Sequence, residues 1–224
     1  MNSIKHAEIS ARRRGGVPAD YLEIHQFIDS TKNLCSDNRH RIFHTMWAVN
    51  EIVLPLFGHQ IINSDSIAVD VKDLCEKDHL LVDFRHQFIP TLSDFVQAMN
   101  VEITASQRHS IEQIHKNYTQ THIQTSNHSA QISRLLLSPL TLTGQIKSLL
   151  ITHNSWFLLS ILPRFIEKMT SVNDSANLLP NLTKDFEISG DIIFANMSFE
   201  RWMNHGADYP PSARHIKQIH SNPI

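Results

Sequence analysis

Three stretches of this chain set imidazoles, carboxylates and cations at helical spacing. In HQFIDSTK, His25, Asp29 and Lys32 are separated by four and three residues. In NRHRIFH, His40 and His44 are four apart, flanked by Arg39 and Arg41, with Trp47 and Glu51 below them. In EKDHLLVD, Glu76, His79 and Asp83 repeat the pattern. Residues three, four or seven apart share one face of a helix. At the 100° helical step Glu76, His79 and Asp83 fall within about 60° of one another, beside the apolar stripe. Neutral imidazoles and carboxylates presented in this way are the donors that borderline divalent ions take. His25, His40, His44, His79 and Asp83 are therefore candidate ligands for zinc, manganese or iron.

The same stretches supply groups for chemistry at such an ion. A ligating imidazole wants a carboxylate on its other nitrogen, and Asp29 or Glu76 is placed to provide one. Lys32, Arg39 and Arg41 suit an anionic substrate, a phosphoester or a carboxylate. A metal-bound water would be the nucleophile. Asp29, Lys32, Arg39 and Glu76 are thus the candidate catalytic residues. The bland alternative is that these are solvated helix faces, which is the usual fate of a lone i,i+4 histidine pair. With 15 histidines spread along the chain, only their spacing is informative. His59 and His86 read as surface loop residues. The sequence has no Gly-rich phosphate loop, nucleophile elbow, CxxC or HExxH, so those chemistries have no support.

The elements that must position these groups are mostly helices. A loose segment of about ten residues leads to Gly15, Gly16 and Pro18, which read as a turn entering a first helix over 20–34. Ser36 and Asp37 break the chain before a second helix over 38–56, ended by Pro55 and Gly58. Ile61, Ile62, the turn-like Asn63-Ser64-Asp65-Ser66, Ile67 and Val69 predict a short β-hairpin. Asp70 with Asp73 resembles a capping box opening a third helix over 71–84, and Thr91 with Asp94 opens a fourth that runs to 99. Beyond Asn100 the chain is richer in Ser, Thr, Asn and Gln. Helices are expected over 105–121, 130–137 and 144–169. A loop over 170–181, a hairpin over 186–194 and a short helix in SFERWMN follow. The fold class is mainly α with a minor β-hairpin, arranged as a helical module over 10–99 and a second helical region over 100–224.

At 224 residues the chain is long enough to bury a real core. A formal net charge of −2, with 41% hydrophobic and 19% charged residues, describes a globular chain without the basic field of a nucleic-acid binder. The most apolar run, LLITHNSWFLLSIL, is too short and too polar to span a membrane. No secretory leader is read at the N-terminus, so a cytoplasmic setting with Cys35 and Cys75 as free thiols is expected.

The segments GGVPADYLEIHQFIDSTK, DNRHR, FGHQIINSD, VDVKDLCEKDH and IPTLSDF, in that order, resemble a family of small uncharacterised bacterial and phage proteins. The resemblance covers about 10–99. It carries over onto Tyr21, His25, Asp29, Lys32, Asp37, Arg39, His40, Arg41, Asn63, Ser64, Asp65, Glu76, His79 and Asp83. Two departures are the position of His44 relative to the family's histidine after RHR, and DFRHQFIP where the family has a shorter, Gly-containing link. The resemblance implies a single module with a polar constellation and names no reaction. Two functions stand at this point. One is metal-assisted hydrolysis of a phosphate-bearing substrate. The other is a non-catalytic module in which the same residues form a buried network and 100–224 binds a protein partner.

Overall fold

The structure is a computed structural model. It describes residues 1–33, 38–98, 127–153 and 156–169, with isolated positions between 105 and 116, and of 38–40, 97–98, 127–130, 133 and 169 only the backbone. The chain divides into two compact units, one built on Met1–Ala98 and one within Met99–Ala207. Among the described residues the structure is mainly helical with one two-stranded antiparallel sheet.

The first unit begins with a helix where a loose segment is expected. Helix α1, Ser3–Arg14, is capped by the Asn2 side chain, which accepts from the Lys5 amide at 2.9 Å. Arg12, Arg13 and Arg14 in its last turn complement its dipole. Its buried face is His6, Ala7 and Ser10, too polar to register as an apolar stripe, which is why periodicity misses it. Gly15 and Gly16 follow at φ of 81° and 68°. A Cβ on Gly15 would lie 2.9 Å from an Asp65 carboxylate oxygen, and one on Gly16 would collide with Asp20. Helix α2, Ala19–Asp29, buries Tyr21, Ile24, His25, Phe27 and Ile28 and tightens into a 3-10 turn at Ser30–Asn33.

The second expected helix is not continuous. Asn38–Phe43 is a 3-10 turn, and the chain breaks before Thr45, whose hydroxyl caps the next helix by accepting from the Ala48 amide at 3.3 Å. His40 and His44 therefore do not share one α-helical face. Helix α3 starts as Met46–Ala48, widens into a π turn at Val49–Val53 and closes as Leu54–Phe57. Pro55 does not end it: the wider hydrogen-bonding pattern before it accommodates a residue without an N–H. Gly58, at φ 88°, does.

Strands β1, Gln60–Ile62, and β2, Ala68–Asp70, pair as the expected hairpin, with Ile61 opposite Val69. The Asn63 side chain closes the turn, accepting from the Asp65 and Ile67 amides at 3.1 and 2.9 Å. Its Nδ2 donates to the Arg14 carbonyl and the Tyr21 hydroxyl at 3.1 and 3.0 Å, and Asp20 accepts from Ser64. Tyr21 and the NSD segment of the resemblance thus bolt the hairpin to the α1–α2 turn.

Helix α4 opens at Asp70, whose carboxylate accepts from the Asp73 amide at 2.7 Å. It runs as Val71–Leu74, a π turn at Cys75–Leu80 and Leu81–Asp83. Bonding to the fifth residue instead of the fourth rotates the side chains off a 100° step. Asp78 and His79 turn inward and Glu76 stays half-exposed. Arg85 and His86 then take left-handed backbone, at φ of 56° and 58°, in the link where the resemblance has a glycine. Helix α5, Leu92–Ala98, has its capping box: the Thr91 amide donates to Asp94 at 2.7 Å and the Asp94 amide to the Thr91 hydroxyl at 3.3 Å.

In the second unit, helix α6, Asn127–Thr143, is longer than expected and runs through Pro139. Gly144, at φ 65°, stops it. The single helix expected over 144–169 is divided: a 3-10 segment at Ile146–Ile151, then helix α7, a π turn at Phe157–Ile161 continued by Leu162–Met169. The apolar run is buried through Leu149, Leu150, Ile151, Phe157 and Ile161. No helix of the described residues is long and apolar enough to cross a membrane. Most of the helix expected over 105–121, and everything expected beyond 169, lies outside the described residues, as does Cys35. Cys75 is a free, buried thiol.

Candidate metal centre

Three elements of the first unit converge on one buried point. The end of α2 brings Asp29, the break before α3 brings His44, and α4 brings His79 from its π turn and Asp83 from its last turn. One ligand atom from each of these four residues lies within 4.8 Å of the other three. His44 and His79 are fully buried, Asp29 is 8% exposed and the Asp83 side chain 1%.

Four of the six distances inside the group are close to the edges of a coordination shell. The Nε2 atoms of His44 and His79 are 3.1 Å apart. Asp29 Oδ1 lies 3.3 Å from each of them, and Asp83 Oδ2 lies 3.1 Å from His44 Nε2. A tetrahedral ion with ligands at about 2.0–2.1 Å has ligand–ligand edges of roughly 3.3–3.4 Å. Asp29 Oδ2 and Asp83 Oδ2 are buried without a hydrogen bond. Buried carboxylate oxygens without donors are costly unless something else satisfies them, and a cation does so.

Around the four stand further polar groups. His6 of α1 stacks on His79 with ring centroids 3.9 Å apart and planes at 10°. Its Nδ1 donates to the Asp78 carbonyl at 2.8 Å, and its Nε2 lies 3.2 Å from Asp83 Oδ1. The Met1 amino group is 2.7 Å from the same oxygen. His25 Nδ1 is 2.9 Å from His79 Nδ1, and His25 Nε2 is 2.9 Å from the Ser10 hydroxyl. Lys32 approaches Asp29 Oδ1 to 2.5 Å. The Arg41 guanidinium lies over the Phe84 ring at 4.8 Å, and its buried Nε has no hydrogen-bond acceptor.

Electrostatics keep the two carboxyls ionised and the His25 and His79 imidazoles neutral. Burial alone would raise the Asp29 carboxyl, but contact with His44 and His79 outweighs it and holds the group well below the ordinary carboxylate range. Asp83 behaves alike through His44 and His6. Burial, helped by His6, pushes the His25 imidazole down to about 3. Burial also drives His79 well below its ordinary value, against the pull of Asp29. Neutral imidazole and ionised carboxylate are the forms that bind metal.

Of the residues singled out by spacing, the structure gathers Asp29, His44, His79 and Asp83, with Lys32 and His25 in direct contact with them. His25 faces His79 and Ser10 with its two nitrogens, so it stands behind the group. Glu76 is turned away by the π turn. The side chains of Arg39 and His40 lie outside the described residues. His59 and His86 are exposed.

Spacing missed His6, Ser10, Arg14 and Asp78. His6 and Ser10 form an i,i+4 pair astride Ala7, a signal that the loose reading of the N-terminus hid. Asp78 is fully buried and ties down Arg13 at 2.9 Å and Arg14 at 2.5 Å. Burial lowers the Arg14 guanidinium, and Asp78 and Asp73 more than restore it, so it ends above its ordinary value. The fully buried Cys75 thiol is pushed up by burial, which makes it an inert core residue and not a ligand.

Residues 1–105 match the model of a family described as a domain of unknown function, DUF6915. The match contains the stretch that carries the resemblance and all the residues of the centre. No curated protein and no solved structure matches the chain.

Proposed function

We propose that the first unit binds a divalent metal ion through Asp29, His44, His79 and Asp83 and performs metal-assisted hydrolysis of an anionic, phosphate-bearing substrate. The observation that carries the metal is the set of short distances, 3.1–3.3 Å in four of the six pairs, between two facing imidazole nitrogens and two buried carboxylates. Two nitrogens and two carboxylate oxygens suit zinc, manganese or iron. Such an ion supplies an acidic water as nucleophile. The anionic substrate is supported by Arg41, whose Nε lacks an acceptor beside the two carboxylates, and by Lys32 on Asp29.

The test has two stages. The purified protein is stripped, reloaded with zinc, manganese or iron(II), and its bound metal measured. The loaded forms are then assayed on phosphomonoester and phosphodiester probes. About one ion per chain, and turnover that disappears in Asp29→Asn, is the expected result. A chain that takes up none of these ions sinks the reading.

One observation favours a second reading, a non-catalytic module in which the same residues brace the helices. It is the depth of the group, none of whose four side chains is more than 8% exposed. That reading gains if the loaded protein turns over no probe while Asp29→Asn lowers its melting temperature.

A further inference from the structure

The two ring nitrogens of His79 point to opposite sides, and only one proton is shared between them in the neutral imidazole. Nε2 faces His44 and Asp29, the metal side; Nδ1 faces His25 Nδ1 at 2.9 Å. A contact between two imidazole nitrogens is a hydrogen bond only when one carries the proton and the other a lone pair. If His79 Nε2 is to give its lone pair to an ion, the proton must sit on Nδ1, and His25 Nδ1 must accept it. A neutral His25 then carries its own proton on Nε2 and donates it to the Ser10 oxygen at 2.9 Å. The chain of bonds runs in one direction, from His79 through His25 to Ser10, and each link forces the next. All three side chains are fully buried, so no water competes for these bonds.

We infer that His25 and Ser10 are positioning residues, which lock His79 in the Nδ1–H tautomer with its Nε2 lone pair aimed at the metal. This rests on the metal reading above and deepens it. Ligating histidines usually hand their second N–H to a carboxylate, a carbonyl or a water. Here a second imidazole takes that place. Its advantage is geometric: the planar His25 ring, bonded to Ser10 of α1, meets the Nδ1 edge of His79 while the His6 ring stacks on its face at 3.9 Å.

The experiment uses the full chain as wild type, His25→Ala, His25→Gln and Ser10→Ala, with zinc and cobalt(II) as probes. Affinity is read by competition with a chelating dye, and the ring nitrogens of zinc-loaded wild type are read by 15N NMR. His25→Ala is expected to weaken zinc about 10–100-fold, the usual effect of losing such a partner. His25→Gln recovers most of that loss, because an amide can accept from His79 and donate to Ser10. Ser10→Ala loses less than His25→Ala. In the zinc-loaded protein His79 carries its proton on Nδ1. Zinc binding by His25→Ala as tight as wild type overturns the inference and leaves the metal reading standing. So does a His79 ring with the metal on Nδ1, which decides the matter even if His25→Ala does not fold. Wild type that takes up neither zinc nor cobalt(II) overturns the inference, and wild type that takes up no manganese or iron(II) either overturns the metal reading with it.

Discussion

Buried histidines occur in both units, and they are satisfied in opposite ways. In the second unit His153 is 2% exposed, and its Nδ1 donates to the Leu149 carbonyl at 3.0 Å, one turn back in its own segment. The neighbouring Thr152 hydroxyl donates to the Leu136 carbonyl at 2.7 Å and so ties that segment to α6. The His153 bond is local and finishes a 3-10 turn. In the first unit the imidazoles meet one another and carboxylates across 35, 54 and 77 residues of chain. The difference teaches how to read a buried histidine. One that answers a carbonyl of its own turn completes local structure. Several whose nitrogens converge with buried carboxylates define a point in space that a cation fits.

The largest effect that would sharpen this contrast is on metal. His79→Ala, or His44→Ala, is expected to weaken zinc by more than about 100-fold, since each removes a donor and not merely its partner. His153→Ala is expected to leave metal content unchanged. Equal metal content in all three variants, measured after dialysis against chelator, would erase the distinction between the two kinds of histidine.

Stability should divide in another way. Trp47, 4% exposed in α3, fills core, so Trp47→Ala is expected to lose about 3–5 kcal/mol with metal stoichiometry intact. His153→Ala removes one side-chain hydrogen bond from a carbonyl that keeps its backbone donors and is expected to cost about 0.5–1.5 kcal/mol. Urea titrations of the metal-free proteins measure both. His79 is fully buried, so His79→Ala also costs stability by exposing Asp29 and His25 to an empty space. Metal content therefore separates it from Trp47→Ala more cleanly than a melt.

Acid should attack the first unit before the second. The His25 imidazole is held down to about 3 in the fold, against about 6.5 for a free histidine. Between those values the unfolded chain binds a proton that the native one refuses. Stability therefore rises with pH across that window and falls as pH is lowered through it, by about 1.4 kcal/mol per unit for this one group. Asp29 and Asp83, held low, act in the same direction below their unfolded values near 3.9. A flat stability profile for metal-free protein between pH 6.5 and 4 would contradict the neutral, buried imidazole.

How much of this was legible follows from where the information lay. The hairpin, the caps at Asp70 and Thr91 and the mainly helical class are written in residues a few positions apart, and they appear where expected. The π turns at Val49–Val53 and Cys75–Leu80 are not. A 100° step cannot anticipate a wider turn, and it is that turn which brings Asp78 inward and leaves Glu76 outside. Asp29, His44, His79 and Asp83 were singled out by spacing alone, yet their convergence is a long-range fact. His6 and Ser10 stayed hidden because a polar buried face carries no apolar period. The link at Arg85 and His86 shows the opposite case. The missing glycine was visible in the sequence, and the structure answers with two residues in left-handed backbone.

The smallest effect tests whether the rim shares the character of the centre. Asp73 pairs with Arg14 at 2.9 Å and Lys77 at 2.6 Å, but its side chain is 37% exposed. The contact with Lys77 chiefly, then Arg14, holds its carboxyl below the ordinary value. A carboxyl lowered in the fold contributes stability that is present above its unfolded pKa and lost as pH falls below it, here from about 3.9 downward. Solvent and salt screen such pairs, so Asp73→Asn is expected to cost only about 0.2–1 kcal/mol near neutral pH, and less in high salt. Arg14 keeps its bond to the buried Asp78 in that variant, which is why the loss stays small. A loss of several kcal/mol that salt does not diminish would mean that Asp73 belongs to the buried network, and that the line between rim and centre is drawn in the wrong place.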